Sequence, residues 1–200
     1  MANLSIYGKL IQETELGCRR HVTDILGHEV LEITGYTTET GMYNALVKVR
    51  GIDDYLRGRS EMVLLSKDRK SIFMELKKSG TYKLPGGGWN ENEDYMTCAI
   101  RETAEEAHYK CSSVKSVGQY IDFYNNPKGT YQKNIPEQFQ WIGVYTEVFC
   151  GLQDGMYTKR VNDVDQDDIS WKGMFFEIDK VKHLLLPIHK KAIEIQLEDL

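Results

Sequence analysis

Apolar and polar residues alternate from Asn44 to Arg50, with Ala45, Val47 and Val49 on one side, and this period of two predicts a strand. The continuous run Met62, Val63, Leu64, Leu65 within Glu61–Leu65 predicts a second, central strand. Ile72–Leu76 reads as a further short strand or a turn of helix, and the segment 81–84 as a strand leading into three glycines. Ser116–Phe123 is strand-like. Phe139–Phe149 is the clearest strand, placing Phe139, Trp141, Tyr145 and Phe149 on one face. The period changes between Asp94 and Ala107: at about 100° per residue, Met96, Ala99, Ile100, Thr103 and Ala107 gather on one side, which predicts an amphipathic helix. Asn92 or Asp94 can cap it. Pro187 suits the first turn of a last helix in which Ile188, Ala192 and Ile195 share a face. Nearer the N-terminus, Cys18–Leu26 reads as a short helix burying Val22, Ile25 and Leu26 and stopped by Gly27, and Gly35–Gly41 reads as a turn. The segment 124–136 is a long polar loop, in which Tyr124 and Tyr131 either stack on a nucleobase or pack locally.

The length of 200 residues allows one domain with a sizeable core, and 41% hydrophobic with 28% charged residues is the balance of a soluble globular chain. The boundary is expected at about residue 40, with 1–40 as an extension packed on a domain of residues 41–200. A net charge of -5 argues against long nucleic acid as the partner, because binding it depends on Lys and Arg displacing counterions. No apolar run is long enough to span a membrane, and the N-terminus has no signal-peptide pattern. Cys18, Cys98, Cys111 and Cys150 form no CxxC pair, which fits free thiols in a reducing, cytoplasmic setting. Arg57, Arg59, Lys67, Arg69 and Lys70 flank the apolar strand, either solvated or with one or two of them holding a substrate phosphate.

The chemistry concentrates in Leu84–Tyr109. Pro85 and the triplet Gly86, Gly87, Gly88 give a backbone that other groups can approach closely. On the helix that follows, Glu102, Glu105 and Glu106 share one sector, and like charges at i, i+3 and i+4 repel by a few tenths of a kcal/mol per pair. A divalent cation removes that repulsion. All-oxygen donors without His or Cys suit Mg²⁺ or Mn²⁺ rather than zinc.

The spacing of Gly87, Glu93, Arg101, Glu102, Glu105 and Glu106 resembles the Nudix box of the MutT-like hydrolases. The family pattern has glycine where this chain has His108, and aliphatic residues where it has Thr103 and Tyr109. His108 is then either a C-cap in the left-handed conformation or a catalytic residue. The resemblance implies an α/β/α sandwich with a mixed sheet, and the ordering of Asn162–Asp168 before a last strand at Trp171–Ile178 matches it. It also implies metal-dependent hydrolysis of a pyrophosphate bond in a nucleoside diphosphate linked to another group, ADP-ribose or a sugar nucleotide being preferred. Nucleoside triphosphates, dinucleoside polyphosphates and a nucleotide-sensing domain without catalysis are the alternatives. Glu102, Glu105, Glu106 and the Gly86 carbonyl are the implied metal ligands. Glu102 and Glu105 with Arg101 form the catalytic set, in which Glu102 binds metal or deprotonates water and Arg101 and Glu93 hold the glutamates. Asp165, and after it Asp168, supply an extra carboxylate or belong to a solvated loop. The implied partner is a small nucleotide, with a homodimer compatible with the sequence.

Overall fold

The computed structural model describes residues 20–25, 27–76, 82–124, 135–157 and 172–198. In chain order the strands are β1 (Arg20–Ile25), β2 (Val30–Thr37), β3 (Tyr43–Val49), β4 (Tyr55–Leu65), β5 (Ser71–Leu76), β6 (Tyr82–Lys83) and β7 (Gly86–Gly88). Helix α1 (Tyr95–Glu102) follows and continues as a π-helical turn over Thr103–Ala107. Then come β8 (Tyr109–Tyr124), β9 (Trp141–Met156), β10 (Lys172–Glu177), the short helix α2 (Ile178–Val181) and α3 (Pro187–Leu197).

These strands form one mixed sheet whose main path runs β1-β8-β9-β4-β3-β2. The β4–β9 ladder, from Tyr55↔Trp141 to Leu65↔Leu152, is parallel, and every other pairing is antiparallel. Along its other edge β4 meets three partners in turn: β3 at Leu56 and Arg57, the glycine strand β7 at Arg59 to Glu61, and β5 at Leu65. This strand is the hub on which the glycine loop is hung.

Period-two alternation sorts the core into two layers. Met62, Leu64, Phe73 and Phe149 pack on one face with Ala99 and Ala107, while Val63, Leu65, Ile72, Met74, Val148 and Cys150 pack on the other with Val181, Ile188, Ala192 and Ile193. Box helix and C-terminal helix therefore cover opposite faces of the sheet, giving the α/β/α sandwich. Among the described residues, no helix is long and apolar enough to cross a membrane.

Four local expectations are corrected. Arg20–Ile25 is not helical but pairs in antiparallel register with Gln119–Tyr124, and Gly27 (φ 89°) turns the chain into β2 instead of stopping a helix. The expected turn at Gly35–Gly41 is strand as far as Thr37, because Gly35 and Tyr36 pair with Ala45 and Asn44. Met96 is 37% exposed, and the buried face of the box helix is instead Cys98, Ala99, Thr103, Ala104 and Ala107. Phe139 ends a 3-10 turn ahead of β9, where its ring stacks on Tyr36 at 4.8 Å. Cys18, Tyr131, Asp165, Asp168 and Trp171 lie outside the described residues.

Candidate functional site

The glycine triplet is required by close approach of the protein to itself. Gly86, Gly87 and Gly88 lie opposite Glu61, Ser60 and Arg59, and the Met62 N–H donates to the Pro85 carbonyl at 2.9 Å. A Cβ on Gly86 would stand 2.5 Å from the Ser60 carbonyl oxygen, and one on Gly87 would fall inside the Glu102 carboxylate. The loop is thereby pressed between strand β4 and the box helix. Trp89 closes it, donating from Nε1 to Ser60 Oγ at 2.8 Å and stacking on Tyr95 at 4.2 Å.

The helix begins where Asp94 accepts from the Thr97 N–H and hydroxyl, both at 2.8 Å. These bonds hold the Asp94 carboxyl below its ordinary pKa. Its end is the left-handed His108, at φ 58° and ψ 26°. An L-residue is strained there, and histidine is better tolerated than most. His108→Gly should therefore stabilise the fold by about 0.5–1 kcal/mol, the relief exceeding the added entropy of the unfolded chain. Urea unfolding measures it. A catalytic histidine would show instead as lost turnover in the same variant.

Arg101 organises the carboxylates. Its Nε and Nη2 grip Glu93 at 2.8 and 2.9 Å, Nη2 also reaches the Gly88 carbonyl at 3.0 Å, and Nη1 donates to Glu102 at 2.7 Å and Glu105 at 2.9 Å. Such a planar fork has the geometry for bidentate carboxylate binding, which Lys lacks. Burial works to raise the Glu93 carboxyl, but the Arg101 bonds and the Asn90 N–H outweigh it and hold the pKa down. At Glu102 the balance goes the other way: burial, then repulsion from Glu106 and Glu105, outweighs Arg101 and leaves the pKa raised. The Cys98 thiol, packed against the Gly87 and Gly88 carbonyls, is pushed up to about 12, mainly by burial, which disfavours the thiolate.

Glu106 takes different partners. It accepts from the Gly86 N–H at 2.7 Å and forms an ion pair with Lys83, which also lies 3.3 Å from Glu75. Burial lowers the Lys83 pKa less than Glu106 and Glu75 raise it, so the ammonium form is favoured. Glu102 and Glu105 are thus gathered by one arginine, and Glu106 is drawn to the glycine strand by a lysine. Among the described residues no three His, Cys, Asp or Glu converge as a ready metal cage. The donor set still fits a hard cation. Its donors are all oxygens, and the Glu102, Glu105 and Glu106 side chains retain 13%, 27% and 21% of their exposure.

Reading the sequence missed Lys83 and Glu75 as partners of the cluster. Lys83 stands two residues before Pro85 on the strand that delivers the loop, and only the β5–β6 pairing Glu75↔Lys83 brings it to Glu75. Also missed was a wholly buried set at the centre of the sheet. Glu61 Oε2 accepts from Tyr120 Oη at 3.1 Å and contacts His189 Nε2 at 3.0 Å. The Leu186 N–H points at His189 Nδ1 (3.4 Å), which leaves the ring proton on Nε2, facing Glu61.

The model of the NUDIX domain matches residues 49–194. No curated protein matches the chain. Solved structures that resemble it include a NUDIX hydrolase from Nitrosomonas europaea, at 13% identity and a TM-score of 0.49 over 72% of this chain and 90% of that one. Another comes from a structure and function analysis of MutT from Aliivibrio salmonicida and Vibrio cholerae, at 14% identity and a TM-score of 0.43, covering 68% of this chain and 95% of that one.

Proposed function

The chain belongs to the NUDIX family, and from that premise we propose that it hydrolyses the pyrophosphate bond of a nucleoside diphosphate linked to a further group, with ADP-ribose or a sugar nucleotide as the substrate class. The observation that carries this reading is the Arg101 fork. It holds Glu93, Glu102 and Glu105 together beneath a glycine strand in which Gly87 leaves room for the Glu102 carboxylate.

In this reading Glu102, Glu105, Glu106 and the Gly86 carbonyl hold Mg²⁺ or Mn²⁺. A cation held there would screen the phosphate oxygens and lower the pKa of water. Arg101 fixes the orientation of Glu102 and Glu105, and Glu93 fixes Arg101. Glu102, the most buried of the three, serves as a ligand or takes the proton from water. To serve as a ligand, Glu106 would have to give up its ion pair with Lys83. Asp165, on the acidic run ahead of the last strand, is the candidate for a further carboxylate. Residues 41–200 are the hydrolase domain and residues 1–40 an extension, whose described strands β1 and β2 end the main path of the sheet.

A non-catalytic sensor would be expected to have lost a box carboxylate, and this chain keeps all of them. The test is a screen of ADP-ribose, sugar nucleotides, nucleoside triphosphates and dinucleoside polyphosphates with Mg²⁺ or Mn²⁺, followed by chromatography of the nucleotide products. Turnover of ADP-ribose or a sugar nucleotide in preference to the rest is expected. Binding without turnover of any of them would make the chain a sensor. Mg²⁺ should also raise the Tm, since a hundredfold excess over Kd stabilises the folded state by about 2.7 kcal/mol. No shift at millimolar metal, with or without a nucleotide, would count against the site.

A further inference from the structure

Of the five basic residues flanking β4, two are placed differently from the rest. Lys67, Arg69 and Lys70 lie on the connection from β4 to β5, and Lys67 and Lys70 are exposed. Arg57 and Arg59 are two residues apart on the strand and so share one of its faces. The intervening Gly58 faces the other way, where a Cβ would strike the Trp89 ring.

Both guanidinium groups lie against the glycine strand. A Cβ on Gly88 would stand 3.2 Å from Arg57 Nη2, and one on Gly86 would stand 3.0 Å from Arg59 Nη2. Each is also braced. The Arg57 guanidinium sits over the Trp141 ring at 6.0 Å. Arg59 Nη2 is 3.9 Å from Glu61 Oε1, on the carboxylate that Tyr120 and His189 fix from the other side. Long cationic side chains ordinarily extend their charge into water, yet the Arg59 side chain keeps only 18% of its exposure.

The arrangement is electrostatically unfavourable by itself. Burial pushes the Arg57 pKa down, the charge on Arg59 adds to that, and Tyr124, Tyr36 and Glu102 act the other way. Arg57 Nε is buried without a hydrogen-bond partner among the described residues. An anion with several oxygens would offset the repulsion between the arginines and give Nε an acceptor. Gly87, between Gly86 and Gly88, faces Glu102, so such an anion would lie across the glycine strand from the carboxylate cluster.

We propose that Arg57 and Arg59 form a clamp for the phosphate group on the side of the scissile bond away from the glutamates, so that the diphosphate lies across the glycine strand. The assignment of that phosphate rests on the hydrolase reading above. The clamp itself requires only an anion of this class.

Inorganic pyrophosphate and ADP, titrated calorimetrically in EDTA, probe the clamp without metal or turnover. Wild type should bind both, and Arg57→Met should weaken binding about tenfold with far-ultraviolet circular dichroism unchanged. Arg57→Lys, which keeps the charge and loses the fork, should fall between them and serves if Arg57→Met does not fold. Lys67→Met removes the same charge from the exposed turn and should bind as wild type does. Equal losses in Lys67→Met and Arg57→Met would reduce the effect to net charge and overturn the clamp, as would wild type that binds neither ligand. Failure of the hydrolase reading looks different: pyrophosphate binding sensitive to Arg57, in a protein that turns over nothing in the substrate screen.

Discussion

Glu105→Gln should lower pyrophosphate hydrolysis by two orders of magnitude or more while leaving the protein folded. The amide keeps the size of the side chain and can still accept from Arg101 Nη1, which Glu105 meets at 2.9 Å. What it loses is the negative charge that attracts a cation, and stabilisation of developing charge on the phosphates depends on that cation. A merely solvated glutamate would respond otherwise. Removing one of three like charges would relieve repulsion by a few tenths of a kcal/mol and leave the rate alone. Steady-state kinetics in Mg²⁺, with circular dichroism as the folding control, separates the two. A folded variant at the wild-type rate would end the case for the glutamates as the catalytic centre.

Lys83→Met should destabilise the protein by about 3 kcal/mol, the scale for removing one partner from a buried ion pair. The Lys83 ammonium sits between Glu106 and Glu75, and the Glu75 side chain keeps only 3% of its exposure. For a chain of this size the loss corresponds to a fall in Tm of roughly 6–12 °C. The variant should also respond to Mg²⁺ more strongly than wild type, because Glu106 no longer has a competing cation. A Tm within two degrees or so of wild type would mean that Lys83 is dispensable to both carboxylates.

What could be read from the sequence follows the distance over which each contact acts. The box helix, its Asp94 cap and its turn at His108 are set by neighbours within a few residues: spacing located the helix and left Asn92 or Asp94 as its cap, and the resemblance to the Nudix box pointed to the turn at His108. On β9, alternation places Tyr145 and Phe149 on one face as expected, but a register shift between Tyr55 and Arg57 turns Trp141 to the other, against Arg57. Lys83 and Glu106 are 23 residues apart, and Glu61 and His189 are 128 apart, so neither pair leaves a periodic mark. Arg20–Ile25 shows the converse error. Val22, Ile25 and Leu26 have helical spacing, but the backbone of 20–25 is claimed by Gln119–Tyr124, nearly a hundred residues on, and long-range pairing overrides local preference. Arg57 and Arg59 were legible only as two of five basic residues. The sheet register places those two beside the glycines.

The π-turn over Thr103–Ala107 has a consequence for how the box could vary. A uniform α-helix has a single angular phase, so fixing its buried face also fixes the direction of every outward residue. Here Cys98 and Ala99 anchor the first part, Thr103, Ala104 and Ala107 anchor the second, and the Thr103 hydroxyl donates to the Ala99 carbonyl at 2.7 Å across the join. The wider turn acts as an offset between two dials. It lets Glu105 and Glu106 be aimed, toward Arg101 and Lys83 respectively, without rotating Glu102 away from Gly87.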